Sequence, residues 1–365
     1  MPALPTRPAP RVSVVIVAAR RADRLEGCLA TLARALAESA HPAEVVLVLN
    51  GAEAGVRALA ARTTGAVQVD AAVGLGFADG ANLGVAAASG ELVLLLHDDA
   101  EPREGWLDPL VAFLDGNAGA GAVASAAYLP DGTPQLAGAL LWSDATTSPS
   151  WGDGAARMPG GPLAVDYAGS ASLLVRRAAW ERAGGADPEL HPAYYVDVDL
   201  SMRLRRAGYA VFCEPRSAIL HHKSSSSSDR ARVFASRRNR ERFLAVWAGE
   251  LAGQAAPGDV AAGLAAAAAR AARAAAAPPA PAGPLPAPDR RPPSAERLLA
   301  GAAREIAFRS ALAAALEEEL AALEARVAIL DDTAVRSHRD AAEAVAAHER
   351  VFAELQALRA RLGDQ

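Results

Sequence analysis

Two cysteines and a single lysine, Lys223, stand in a chain of 365 residues whose aromatic content is only 5%. Cys28 and Cys213 lie in unrelated contexts, with neither metal-ligand spacing nor a disulfide framework, so nothing asks for an oxidising compartment. No apolar run is long enough to span a bilayer; the Ala-rich stretch near residue 270 is broken by Arg270 and Arg273. Met1–Pro10 is Pro-rich and lacks an apolar core, which excludes a signal peptide. The net charge of −5 gives no general attraction for nucleic acid. A soluble, cytoplasmic protein with no nucleic-acid partner is the expectation. Charge is nonetheless uneven: Arg203–Arg242 holds 11 Arg and Lys against Glu214, Asp229 and Glu241, a local excess of +8. Such a segment suits a phosphorylated ligand or an anionic surface, or is a solvated Arg-rich helix.

What the chain does have is alternation. Arg11–Ala18 reads as a buried strand, followed by apolar residues at helical spacing, Leu25, Cys28, Leu29, Leu32 and Leu36. Glu44–Leu49 is a second strand closed by Asn50-Gly51, Val56–Arg62 a short helix and Val67–Val69 a third strand. The glycine-rich run Gly74–Gly84 leads through an Ala-rich helix to Leu92–Leu96, a wholly apolar run typical of a strand buried on both faces. Helix Trp106–Leu114 and strands Gly121–Tyr128 and Val165–Val175 continue the pattern. Residues 143–162 have loop composition and suit a flap over a site. This order predicts an α/β domain with a mostly parallel sheet and helices on both faces.

The Leu92–Leu96 strand ends in His97-Asp98-Asp99. Adjacent carboxylates at the end of a buried strand are costly without a positive partner, and that end is where open α/β sheets bind ligands. A divalent cation shared with a phosphate-bearing substrate meets the demand; a solvated turn that caps the next helix is the alternative. The Gly74–Gly84 run matches neither the dinucleotide nor the P-loop spacing, so on chemistry alone Asp79 and Asn82 read as helix caps. Asp197 lies at a helix start with Asp199 two residues on; one is an N-cap, and a carboxylate facing the site suits a general base. His221, closing the strand Ala218–Leu220, is a metal candidate in a chain that already carries an acidic pair.

Taken in order along Arg11–Gly249, these motifs resemble the family-2 glycosyltransferases of GT-A fold. The resemblance rests on Gly76–Gly84 (Gly-Phe-Ala-x-Gly-x-Asn-x-Gly), the acidic strand end, Gly169–Arg177, Asp197–Arg203, a His after the next strand, and Arg238-Asn-Arg240. It implies a Rossmann-like sheet and transfer of a sugar, with inversion, from a nucleotide-diphospho-sugar to a hydroxyl of a cell-surface polysaccharide or glycolipid. Mn²⁺ or Mg²⁺ is the implied cofactor, and a nucleotide-sugar and a glycan or lipid-linked acceptor are the implied partners. By resemblance Asp99 and His221 hold the metal, Asp197 is the base, and Asn50, Gly76, Asp79, Asn82 and Asp98 bind the donor. The chain departs from the family at His97 (the first Asp of D-x-D), Val196 (a Glu), Leu49 (an Asp that contacts the base) and Ala18-Ala19-Arg20. Those departures leave a second reading open: a catalytically degenerate domain that binds glycans or acts as a scaffold. Sugar-1-phosphate nucleotidyltransferases would need a glycine-rich basic loop after the first strand, and Ala18–Asp23 has no glycine.

The chain then divides into a disordered N-terminus (1–10), the transferase domain (11–250), an Ala/Pro-rich linker (251–295) containing an Ala-rich helix Val260–Ala277, and a helical segment (296–365). Leu316, Leu320, Leu323, Val327 and Leu330 share a heptad frame with Val351, Leu355, Leu358 and Leu362, interrupted at Ala334, Ser337, Ala341, Ala344 and His348. That frame reads as a coiled coil for self-association or as an internal hairpin. Peripheral association with the inner face of the cell membrane is the remaining expectation.

Overall fold

The computed structural model describes residues 4, 9–152, 156–223, 229–280, 287–336 and 341–363. The expected disordered N-terminus lies outside these apart from Leu4, Ala9 and Pro10, as do 153–155 of the expected flap and Ser337 of the heptad frame. Leu4 is buried, its N–H bonded to Thr64 O at 3.2 Å. The chain divides between Arg304 and Glu305 into two compact units.

In the first unit β1 (Val12–Ala18), α1 (Ala22–Glu38), β2 (Ala43–Asn50), α2 (Ala54–Arg62), β3 (Ala66–Ala71), α3 (Gly76–Ala87) and β4 (Leu92–His97) follow one another. Next come β5 (Ala100–Pro102), α4 (Leu107–Gly116), β6 (Ala120–Tyr128), β7 (Pro134–Leu136), β8 (Ala139–Leu141) and β9 (Thr147–Pro149). The unit continues with β10 (Leu163–Val165), β11 (Ser172–Arg176), α5 (Arg177–Ala183), α6 (Val196–Arg206), β12 (Ala210–His221), α7 (Asp229–Leu251) and α8 (Val260–Ala276). It ends within α9 (Ala295–Arg336); α10 (Ala341–Gly363) belongs to the second unit.

The main sheet runs β10-β12-β6-β11-β4-β1-β2-β3, with β5 on β12 and β7 on β6. β1 is parallel to β2 and β4, β2 to β3 and β6 to β12, while β11 is antiparallel to both β4 and β6. Alternation explains why the first strands carry apolar residues throughout. Val12, Val14 and Ile16 of β1, with Leu92, Leu94 and Leu96 of β4, face a core completed by α1 and α4. Val15, Val93 and Leu95 face a second core with α3, α5 and α6. Both faces are therefore apolar, as a covered parallel sheet requires.

Two expectations are corrected here. Val165–Val175 is not one strand: Asp166 leaves the sheet and buries its carboxylate against Leu141 N–H (3.0 Å), Arg205 (3.3 Å) and Arg270, so β10 and β11 pair with different neighbours. Gly74–Gly84 is mostly helix. Asp79 and Asn82 lie inside α3 and neither caps it. Its glycines at positions 80 and 84 face the sheet: a Cβ on Gly80 would stand 2.8 Å from Val17 Cγ1, and one on Gly84 2.3 Å from Val15 Cγ1. Glycine lets the helix lie close on β1.

Much of the expected linker is built into the first unit. Asp259 caps α8 by accepting from Ala262 N–H (3.0 Å), α8 packs on β8, β10 and β12, and its Arg270 meets Asp166. Further on, Asp289 N–H bonds Ala86 O (2.7 Å), Arg290 pairs with Glu44 (2.9 Å), and Arg297 and Arg304 close on Asp79 (2.6 and 2.7 Å). Part of the 143–162 stretch is likewise ordered, since β9 pairs with β8 and Ser143 N–H bonds Ala255 O at 3.0 Å. In the second unit Glu324 and Arg359 meet at 2.6 Å, and Leu323, Val351, Leu355 and Leu358 are buried. The two halves of the heptad frame thus belong to one antiparallel hairpin. No helix among the described residues is long and apolar enough to cross a membrane.

Gly84→Ala should destabilise the first unit by about 1–3 kcal/mol through overpacking against Val15. Urea unfolding of the two chains measures this, and equal midpoints would show that β1 yields freely.

Candidate active site

β4 lies inside the sheet between β1 and β11, and its last residue, His97, is in register with Val17. The chain turns at Asp98-Asp99 and leaves as β5, which pairs antiparallel with β12 so that His221 stands opposite Ala100. This register, with His222 N–H bonded to Asp99 O (3.1 Å), sets the His221 ring beside the Asp99 carboxylate. His221 Nε2 is 3.3 Å and His97 Nδ1 4.0 Å from Asp99 Oδ1, and the imidazole centroids are 5.4 Å apart. One donor atom from each of the three lies within 4.8 Å of the others. Donors bound at about 2.1 Å to one cation stand roughly 3.0–4.2 Å apart, depending on geometry. The set therefore fits a divalent ion after small side-chain rotations, and leaves the rest of its coordination sphere to other ligands.

Asp99 is 6% exposed, which rules out a solvated turn. Burial opposes its ionisation, but the hydrogen bond from His221 and the neighbouring imidazoles outweigh it and hold the carboxyl down at about 2. Burial, then the proximity of His221, lowers His97 to about 4 against the pull of Asp99. His97 is consequently neutral at neutral pH, and it is the His221 hydrogen bond that keeps Asp99 ionised there. A neutral imidazole and a carboxylate are the forms a cation binds. His221 Nδ1 lies 3.1 Å from Gln135 Oε1; were a cation to replace the Nε2–H···Asp99 bond, donating Nδ1–H to Gln135 would leave the Nε2 lone pair for the metal.

Asp197, in the first turn of α6, accepts from Val198 N–H (3.0 Å) and from the backbone N–H of Ser170. Burial raises its pKa, and these backbone bonds only partly oppose the rise. Ser170 Oγ in turn lies 3.2 Å from His97 Nε2. One residue of the β10–β11 connection therefore touches both the cation cluster and the Asp197 carboxylate. Asp199 is directed elsewhere, accepting from Trp247 Nε1–H (2.8 Å) and pairing with Arg203.

The remaining sequence-derived positions fall into two groups. Asp98 adjoins the cluster, its carboxyl pushed up to about 7 by burial and by the charge of Asp99. The others make internal bonds. Asn50 accepts from Leu75 N–H (2.7 Å) and donates to Gly76 O (3.1 Å). Gly76 has φ +78°, and a Cβ there would lie 2.6 Å from His191 Nδ1. Asn82 pairs with both backbone groups of Ala186 (2.8 and 3.0 Å), and Asp79 is enclosed by Arg297 and Arg304. His97 as a third donor, Ser170 and Gln135 were missed. The signal for His97 was its i, i+2 spacing to Asp99 at a strand end; Ser170 and Gln135 carry none.

Residues 13–182 match the family described as Glycosyl transferase family 2. The "O-antigen biosynthesis protein RfbC" of Myxococcus xanthus is 33% identical over 152 residues, 38% of this chain and 11% of that protein. The "N-acetylglucosaminyl-diphospho-decaprenol L-rhamnosyltransferase" of Mycobacterium tuberculosis is 31% identical over 126 residues, 34% of this chain and 40% of that protein. The chain thus spans well under half the length of either relative. The crystal structure of GalNAc-T7 with UDP, GalNAc and Mn²⁺ superposes with a TM-score of 0.52 at 16% identity, covering 67% of this chain and 49% of that one. The fold is GT-A.

Asp98 yields a pH test. Its folded pKa of about 7 lies above the unfolded value of about 3.9, so the neutral acid's contribution to stability is complete below the unfolded pKa and lost as pH rises through about 7. Asp98→Asn should therefore raise the melting temperature in EDTA at about pH 8 and leave it unchanged near pH 4. The same shift at both pH values would contradict this.

Proposed function

We propose that this family-2 glycosyltransferase domain moves a sugar from a nucleotide-diphospho-sugar to a hydroxyl of a growing cell-surface polysaccharide or glycolipid, inverting the anomeric centre. The observation that carries the reading is Ser170, whose hydroxyl meets His97 of the cation cluster and whose backbone N–H meets Asp197. Asp99 and His221, joined by His97, hold Mn²⁺ or Mg²⁺, which when bound offsets the charge of the departing diphosphate. Asp197 takes the proton of the acceptor hydroxyl; burial, which raises its pKa, makes it a stronger base than a solvated carboxylate. The acceptor oxygen forms the new bond to the anomeric carbon as the bond to the β-phosphate oxygen breaks, and the electron pair leaves with the nucleoside diphosphate. One in-line displacement of this kind inverts the centre.

Asp98 lies against the nucleotide. Asn50 and Asn82 act on the donor indirectly, by fixing the backbone at Leu75–Gly76 and at Ala186. Asp79, neutralised by two arginines, takes no direct part. The relatives' names, O-antigen biosynthesis and rhamnosyl transfer to N-acetylglucosaminyl-diphospho-decaprenol, support a lipid-linked glycan acceptor. Peripheral work at the inner membrane face completes the proposal.

Thermal shifts with UDP, GDP and TDP, each with and without Mn²⁺, test it. One nucleotide should stabilise the chain only with metal, by about 2.7 kcal/mol at a hundredfold excess over Kd, and Asp99→Ala should abolish the effect. Asp197→Asn should keep that stabilisation and lower the transfer rate by about 10²–10⁴-fold. If no nucleotide stabilises the chain with any metal, a scaffold role replaces the transferase.

A further inference from the structure

The helix that presents Asp197 is entered through an unfavourable backbone. Tyr194 and Tyr195, immediately before α6, both adopt left-handed conformations, φ +71° and +62°. A side chain with a Cβ disfavours this region, and two such residues in succession persist only where the surroundings enforce them.

Those surroundings are supplied by α7. Asn239 is fully buried, and its amide nitrogen donates to Ala193 O (2.7 Å) and to Tyr194 O (3.1 Å). Both amide hydrogens are thereby used, so the side chain has one satisfied orientation. Its Oδ1 accepts from Arg238 Nη1 (3.2 Å), which also donates to His191 O (3.1 Å). Two turns on, Trp247 holds Asp199, so α7 grips the chain on both sides of Asp197. Across the loop, Pro192 O accepts from Phe77 N–H (2.7 Å), and the Phe77 ring stands edge-on to His97 at 5.1 Å. The 191–195 loop is therefore tied through Pro192 to Phe77, which stands against His97, and leads directly into the helix that carries Asp197. The arginines that read as an anion-binding stretch include at least one, Arg238, whose bonds are to this loop.

We propose that Asn239, oriented by Arg238, is a positioning residue: by holding the left-handed Tyr194–Tyr195 pair it fixes where α6 begins, and so where Asp197 meets the acceptor hydroxyl. The proposal rests on Asp197 being the base. Asn239→Asp keeps the shape of the side chain and removes both donors, turning a carboxylate oxygen towards two carbonyl oxygens. Misplacing the base should slow the chemical step and leave donor binding alone.

The rate is read as release of nucleoside diphosphate from UDP-, GDP- and TDP-sugars with Mn²⁺ and an N-acetylglucosaminyl-diphospho-lipid acceptor. For Asn239→Asp, kcat should fall about 10–100-fold with the donor KM and the Mn²⁺–nucleotide thermal shift unchanged. In an Asp197→Asn background the same substitution should cause no further loss, because Asn239 acts only through Asp197. A kcat within about threefold of wild type, or the same proportional loss in the Asp197→Asn background, overturns the proposal. Full turnover by Asp197→Asn alone overturns the reading of the base instead, and no turnover by the wild-type chain overturns both. If Asn239→Asp does not fold, Arg238→Ala carries the test. A lower kcat at unchanged donor KM supports the positioning role, and a wild-type kcat removes it.

Discussion

The carboxylate of Asp99 is withdrawn from water at the end of an interior strand, and the imidazole of His221 keeps it ionised. Much of the architecture follows from bringing those two groups together. β4 is followed at once by a turn and a three-residue strand whose only described sheet partner is β12, and the antiparallel register of that pair is what delivers His221. The cost of a buried charge is thereby converted into a fixed arrangement of donors. His222, the neighbour on the same strand, turns instead to Arg24 (2.8 Å) and Glu101 (2.9 Å), so the two imidazoles of one dipeptide serve opposite sides of the turn.

Around this centre the chain relies on close backbone approach rather than on bulky packing. The glycines at 80 and 84 seat α3 on β1, and Asn50 ties the entry of that helix to the end of β2. The glycines at 80 and 84 are thus packing elements that seat α3 on the sheet.

The parallel half of the sheet was legible because strands buried on both faces are apolar throughout, as Leu92–Leu96 shows. The acidic strand end and His221 were legible because charged groups interrupt that pattern abruptly. What was not legible depends on distant partners. Asp166 breaks the expected Val165–Val175 strand for the sake of Arg205 and Arg270, which lie 39 and 104 residues away. Asp79 and Asn82 have the chemistry of caps, yet their partners are 218 and 104 residues along the chain. His97 was measured against an expected Asp, which concealed its own capacity as a ligand. Ala and Pro composition suggested a linker after residue 250, since nothing local marks Arg270 or Arg290 as belonging to buried carboxylates.

Glu44, Asp79 and Asp166 all take arginines from beyond residue 250, with separations of 246 residues for Arg290 and 225 for Arg304. During synthesis at about 5–20 residues per second, roughly 10–45 s separate the appearance of Asp79 from that of Arg304. The βα repeats emerge first, with their acids unmatched, and must wait in an incomplete form for the strap that closes them. The segment that matches the family model is therefore the earliest to be made and among the last to be finished, and a ribosome that stalls in the Ala- and Pro-rich stretch would hold a half-built sheet.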